Sequence, residues 1–203
     1  PNERQFAVFI NYCGVDNKEQ GRQWASWLHH TLEAYEIPPN LVGRTNLRGE
    51  PIPASLYPVF RYEEELSADA DLSANIQRAL KNSTLLVVLC SPRAVESRFV
   101  AEEIKIFKEL GKADRILALM IDGEPNASDD PSKAHADIRP EHECLPKPLR
   151  YGVPREDGSI DWAQRTEPIA ADVRPEGKPV QGWTSAVAYH EELTRQGLAK
   201  PEI

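Results

Sequence analysis

Two adjacent carboxylates, Glu102 and Glu103, sit inside a run at residues 97–107, SRFVAEEIKIF, that reads as the start of an amphipathic helix. At about 100° per residue, Val100, Ile104, Phe107, Leu110, Phe99 and Ile106 share one broad apolar arc. Glu103 falls in the middle of that arc and Glu102 just outside it. A carboxylate on a mostly apolar wall facing a pocket has the chemistry to hold a sugar hydroxyl or to stabilise a developing cation, as in glycoside cleavage. The plainer reading is a first-turn carboxylate that favours the helix dipole and reaches water. Helical spacing alone leaves both open.

Other reactive residue types give weaker signals. Arg61 ends a short apolar stretch beside the acidic run at residues 62–69, YEEELSAD. It either neutralises those carboxylates at the surface or holds a phosphate. His135, His142 and Cys144, with Glu141 and Glu143, match no zinc spacing and read as solvated loop residues. His29 and His30 lie in a helical run with no Ser or Cys nucleophile constellation. Cys13 and Cys90 end apolar strands and read as small buried residues. No GxGxxG or GxxxxGK[ST] occurs, so dehydrogenase and nucleotide-triphosphatase readings have no support.

The elements that must position these groups alternate along the chain. Residues 6–12 (FAVFINY) form a first strand. Asp16-x-x-Glu19 looks like a capping box, followed by Trp24, Trp27, Leu28, Thr31, Leu32 and Tyr35 at helical spacing. Residues 36–57 read as a Pro- and Gly-rich loop, and 58–61 as a short edge strand. Leu72, Ile76, Ala79 and Leu80 mark a second helix. Residues 84–90 and 115–122 are almost wholly apolar, as strands buried on both faces of a parallel sheet are. Residues 123–166 lose periodicity and read as an irregular insertion, more surface loop than second core. Residues 168–173 suggest a fifth strand. Trp183, Ala186, Val187, His190 and Leu193 mark a last helix within a tail at 177–203.

That alternation predicts an α/β fold of the flavodoxin-like, three-layer kind, a five-stranded parallel sheet in the order 2-1-3-4-5 with helices on both faces. Its ligand crevice lies outside the carboxyl ends of strands 1 and 3, here at Asn11-Tyr12-Cys13 and Cys90-Ser91-Pro92. Glu103 then sits one or two turns into the helix that leaves the second of these. A phosphoacceptor receiver domain shares the fold but needs acidic residues at those strand ends, and they are missing.

Composition narrows the partners. The 203 residues suit one domain with an insertion or tail. A formal charge of −8 argues against nucleic acid or an anionic membrane as the main partner. Three cysteines without tight spacing fit a reducing, cytoplasmic setting. No apolar run reaches membrane-spanning length. The chain starts at Pro1 without a Met or a signal peptide, as a segment excised from a longer protein would.

In order and spacing, several stretches resemble TIR (Toll/interleukin-1 receptor) domains, in particular bacterial ones. FAVFINY at 6–12 resembles their first box, [FY]-D-x-F-I-S-Y. VFRYEEEL at 59–66 resembles the strand and start of the BB loop, and LVVLCSP at 86–92 the third strand and its exit. FVAEEI at 99–104 matches the aromatic-x-x-x-Glu pattern of the αC helix, and DGEP at 122–125 and EPIAAD at 167–172 also look alike. The likeness covers about residues 5–176, which makes 1–176 the TIR domain.

The resemblance implies one of two activities. Many TIR domains cleave the nicotinamide–ribose bond of NAD+, releasing nicotinamide and linear or cyclic ADP-ribose, in bacteria as part of immune, anti-phage defence. Others are scaffolds that only recruit further TIR domains. In the enzymes the Glu four residues after the αC aromatic is essential. By resemblance Glu103 is therefore catalytic, and Asn11, Tyr12, Cys13, Phe60, Arg61, Ser91 and Phe99 line the substrate site. Phe99 takes the place of the usual Trp. NAD+ is the substrate, and no metal or separate cofactor is implied. Self-association through TIR–TIR contacts, including the BB loop at about 62–71, is implied as well, with a fused or separate sensor. Ala7, Asn11 and Tyr62 depart from the family's usual Asp, Ser and Asp.

Overall fold

The computed structural model describes residues 4–18, 23–62, 70–132, 138–174 and 186–198. The sequence expectations for Glu19, for most of the BB loop (63–69), for His135 and for Trp183 lie outside these residues.

A parallel sheet forms the centre. Its strands are β1 (Phe6–Asn11), β2 (Val59–Arg61), β3 (Ser83–Cys90), β4 (Ile116–Met120) and, last in sequence, β7 (Ile169–Asp172). Their order is β2-β1-β3-β4-β7, all parallel, as the flavodoxin-like reading predicts with β7 as the fifth strand. The apolar run of β3 is buried at Leu86–Cys90 because it lies in the middle of the sheet with helices on both sides. The strand order reverses between β1 and β3, the switch point outside whose carboxyl ends sheets of this kind bind ligands.

Side chains alternate across the sheet. Phe9, Leu86, Val88, Cys90, Ala118 and Met120 face one core, which receives α5 (Arg98–Phe107) through Val100, Ile104 and Phe107. Ala79 and Leu80 of α3 (Ala70–Lys81) complete that layer. Val8, Ile10, Val59, Val87 and Leu89 face the other core, against Trp24, Ala25, Trp27 and Leu28 of α2 (Trp24–Ala34). Tyr189 and Leu193 of α7 (Ala186–Arg195) pack on the same layer, with Tyr189 5.5 Å from the Trp27 ring. The terminal helix therefore closes the α2 face.

Two expectations need correction. Asp16 does not cap a helix from outside. It lies within α1 (Val15–Lys18), fully buried, while α2 begins after Gln23 with no side-chain cap. The local S/D-x-x-E pattern cannot distinguish a cap from a carboxylate drawn inward by a distant cation. Residues 123–166 are also more ordered than their lack of periodicity suggests. They contain α6 (Lys147–Arg150) and an antiparallel hairpin of β5 (Tyr151–Pro154) and β6 (Ile160–Arg165). Cys144, Leu145 and Leu149 join the α5 core, so Cys144 is not a solvated loop residue. Burial pushes its thiol up to about 12, which leaves it an inert packing group. At four to six residues each, these elements span too few periods for periodicity to reveal them.

Candidate functional site

The site is built where β1 ends against α5. Ser97 caps α5, accepting from the Val100 backbone N–H at 3.3 Å. That cap fixes where the helix begins and so which residues face the sheet. Val100, Ile104 and Phe107 are buried, and Glu103 shares their side of the helix. The apolar arc is narrower than the sequence suggests. Phe99 is 73% exposed, and Leu110 falls beyond α5 in a π-helical turn, Lys108–Lys112, that ends the helix at Gly111.

Asn11 is the last residue of β1 and has the same facing as Phe9, toward α5. Its Nδ2 donates to Glu103 Oε2 at 2.7 Å and to the Val100 carbonyl at 3.2 Å. Both acceptors demand N–H, so the amide orientation is fixed. Asn11 is 1% exposed, and its Oδ1 is buried with no hydrogen-bond partner among the described residues. Burial pushes the Glu103 carboxyl up to about 7, and the bond from Asn11 holds it from rising further. A carboxyl poised near neutrality beside a strand end is the kind of group that chemistry uses.

A second polar cluster lies at the same carboxyl edge. Ser91 Oγ donates to Asp16 and accepts from the Ala94 N–H, capping α4 (Pro92–Glu96). Arg93 Nη1 lies 3.1 Å from Asp16 and 3.6 Å from Asp122, joining the exits of β1, β3 and β4. Sequence reading missed Asp16 and Arg93 in this role. The only signal was an Arg three residues past β3, which does not reveal its partner 77 positions earlier.

The other expected site residues divide between the two faces of the sheet. Cys13 and Phe60 pack on the α5 side with Asn11. Phe60 stacks on Phe9 at 4.9 Å, so its ring is partly engaged in the core. Tyr12 packs on the α2 side, and its hydroxyl donates to the Tyr62 carbonyl, tying the exit of β1 to the exit of β2. Arg61 also turns to the α2 side, donating to Ser26 Oγ at 2.7 Å. Ser91 is brought to the crevice in backbone position only, because its hydroxyl is buried and engaged by Asp16 and Ala94. No group of three or more His, Cys, Asp or Glu side chains is placed to hold a metal among the described residues.

A family model for the TIR domain matches residues 8–144, more than half of the 203. This chain belongs to the TIR-domain family. A solved structure, the TIR domains of the activated Roq1 resistosome directly recognizing the pathogen effector XopQ, is similar at 16% identity and a TM-score of 0.38. The match covers 68% of this chain and 66% of that one. No curated protein shows significant similarity to the chain. Within this TIR domain, Glu103 is the half-buried carboxylate of α5. No helix among the described residues is long and apolar enough to cross a membrane.

Proposed function

We propose that this TIR domain cleaves the nicotinamide–ribose bond of NAD+. The observation that carries the reading is the half-buried Glu103 held by Asn11 at the carboxyl edge of the sheet. A scaffold has no use for a carboxylate kept there against the cost of desolvation.

In this reading the Glu103 carboxylate accepts hydrogen bonds from the hydroxyls of the nicotinamide-side ribose. The bond between the ribose C1′ and the pyridinium nitrogen breaks, its electron pair leaves with nicotinamide, and the ribose becomes oxocarbenium-like. A negative charge fixed nearby in a poorly solvated wall stabilises that cation more than it stabilises the ground state. Water then adds to C1′ and loses a proton, giving ADP-ribose. Attack by a nitrogen of the substrate's own adenine would give a cyclic product instead. NAD+ is consumed as the substrate, and the chemistry asks for no metal.

Cys13 and the face of Phe60 stand on the same side as Glu103 and fit the wall of such a site, with Tyr12 and Arg61 bracing the neighbouring edge. Phe99, one turn before Glu103, fits an aromatic that closes over the substrate from outside, which its exposure permits. Assembly through TIR–TIR contacts, a sensor that triggers it, a cytoplasmic location and a role in bacterial immune signalling complete the proposal. The test is to immobilise the protein at high density, incubate it with NAD+ and separate products by chromatography. Nicotinamide with linear or cyclic ADP-ribose is the expected result. Intact NAD+ from densely clustered protein contradicts the reading.

A further inference from the structure

A cavity of about 390 Å³ lies away from the crevice, between α6 and the β5–β6 hairpin. It is lined by Asp129, Lys147, Arg150, Tyr151, Trp162 and Ala163. Its volume falls within the range of small-molecule sites. The hairpin is docked on the end of α5 by Lys108, whose ammonium donates to the Tyr151 and Gly152 carbonyls at 2.9 Å each.

Two features make this a built cavity rather than a gap between loops. Gly152 has φ 101°, and a Cβ there would meet the Trp162 ring at 2.6 Å. Only glycine lets the indole lie this close to the backbone, so one wall is a fixed aromatic plane. Lys108 Nζ stands 5.8 Å from that ring and helps hold it. The other feature is Arg150, only 6% exposed, whose Nε donates to the Leu145 carbonyl at 3.0 Å. Its Nη1 pairs with Asp129, and Glu143 Oε2 lies 3.8 Å from its Nε.

The charge around the cavity is positive although the chain carries −8. Asp129 Oδ2 is shared among Arg150, Arg165 Nη1 at 3.1 Å and the Tyr151 hydroxyl at 3.3 Å. Glu143 is occupied by the backbone N–H groups of Asn126, Ser128 and Leu145. Against these two carboxylates stand Arg150, Arg165 and Lys147. Lys147 has no carboxylate partner among the described residues, and its Nζ lies 5.8 Å from the Tyr151 ring. A surplus cation at the mouth, a buried guanidinium at the base and two aromatic side chains at the walls suit an anion joined to a flat ring.

We infer that the cavity between α6 and the β5–β6 hairpin is a second ligand site, for a nucleoside monophosphate, with the phosphate toward Lys147 and Arg150 and the base against Trp162 and Tyr151. The inference is independent of what Glu103 does. The test is calorimetric titration of the full chain with AMP, with adenosine and inorganic phosphate as separate arms. Lys147→Glu is the site variant. Arg195→Glu, on the exposed face of α7, makes the same change in net charge away from the cavity. AMP is expected to bind more tightly than either fragment, with Lys147→Glu weakening it by about tenfold or more and Arg195→Glu leaving it within about twofold. Four results would each overturn the assignment. These are no AMP binding at millimolar concentration, equal weakening by both variants, no effect of Lys147→Glu, or a fragment binding as tightly as AMP.

Discussion

Asn11 and Glu103, 92 residues apart in the chain, meet through a 2.7 Å hydrogen bond from the amide nitrogen to the carboxylate. The bond joins the end of β1, an interior strand of the sheet, to the helix that carries the acid. It also sets the acid's titration, because it favours the charged form while burial favours the neutral one.

Asn11→Ala removes the influence that holds the Glu103 carboxyl down, so its pKa rises above about 7. If the carboxylate is the active form, wild-type turnover of NAD+ climbs as pH rises through about 7. In Asn11→Ala the half-maximum moves to higher pH. A pH–rate profile measures this, and an unshifted acidic limb would remove Asn11 from the positioning of Glu103.

Glu103→Gln is expected to stabilise the fold at alkaline pH. The folded pKa is raised above the usual carboxyl value, so the folded protein binds the proton more tightly than the unfolded chain. The stability this proton gives is fully present below about 4.5 and lost as pH rises through about 7. Above that pH the buried charge opposes folding, and the neutral amide does not. The variant should exceed wild type by about 1–3 kcal/mol at alkaline pH, with the gap closing toward pH 5. Urea unfolding at several pH values measures it.

Asp16→Ala should be strongly destabilising. It strands Arg93 without its closest carboxylate and leaves Ser91 without its acceptor at a fully buried position. A loss of about 2–4 kcal/mol follows from breaking a pair of this kind. A change below about 0.5 kcal/mol, the range of an ordinary surface substitution, would show that the network does not hold the sheet edge together.

Gly123→Ala tests a close approach rather than a charge. With φ 79°, an added Cβ would lie 2.7 Å from the His142 carbonyl and 2.9 Å from Pro92 Cδ. Backbone cannot yield cheaply there, so the melting temperature should fall by several degrees, corresponding to about 2 kcal/mol or more. Gly158→Ala, at φ 84° with open space around it, carries the conformational strain alone and should cost less.

Much of this fold can be read from the chain because the inner strands β3 and β4 are long apolar runs and the main helices are amphipathic. The residues of β3 show no alternation because both faces are covered over Leu86–Cys90, and that fact alone implies the layers, whereas β4 is apolar in sequence but alternates in burial. Glu103 is legible for a related reason: it interrupts an apolar face. Asn11 is legible only as a position at the end of β1, since its bond to Glu103 depends on how α5 lies across the sheet. Asp16 and Arg93 are not legible, because their partnership is wholly tertiary. The β5–β6 hairpin escapes notice because β5 is only four residues long and β6 carries polar and charged residues, while Gly152 and Trp162 make their contact across the hairpin. Phe99 marks the limit of helical periodicity, which places it on the apolar arc but does not require that anything cover it.

The central claim is that Glu103 performs the cleavage. Nicotinamide release from NAD+ should be followed for wild type and Glu103→Gln, both immobilised at the same high density, with urea unfolding to establish that the variant is folded. Wild type should release nicotinamide, and Glu103→Gln should lose about a thousandfold or more of that rate, the scale of removing a main electrostatic group from an active site. A folded Glu103→Gln protein that releases nicotinamide at the wild-type rate would contradict the account.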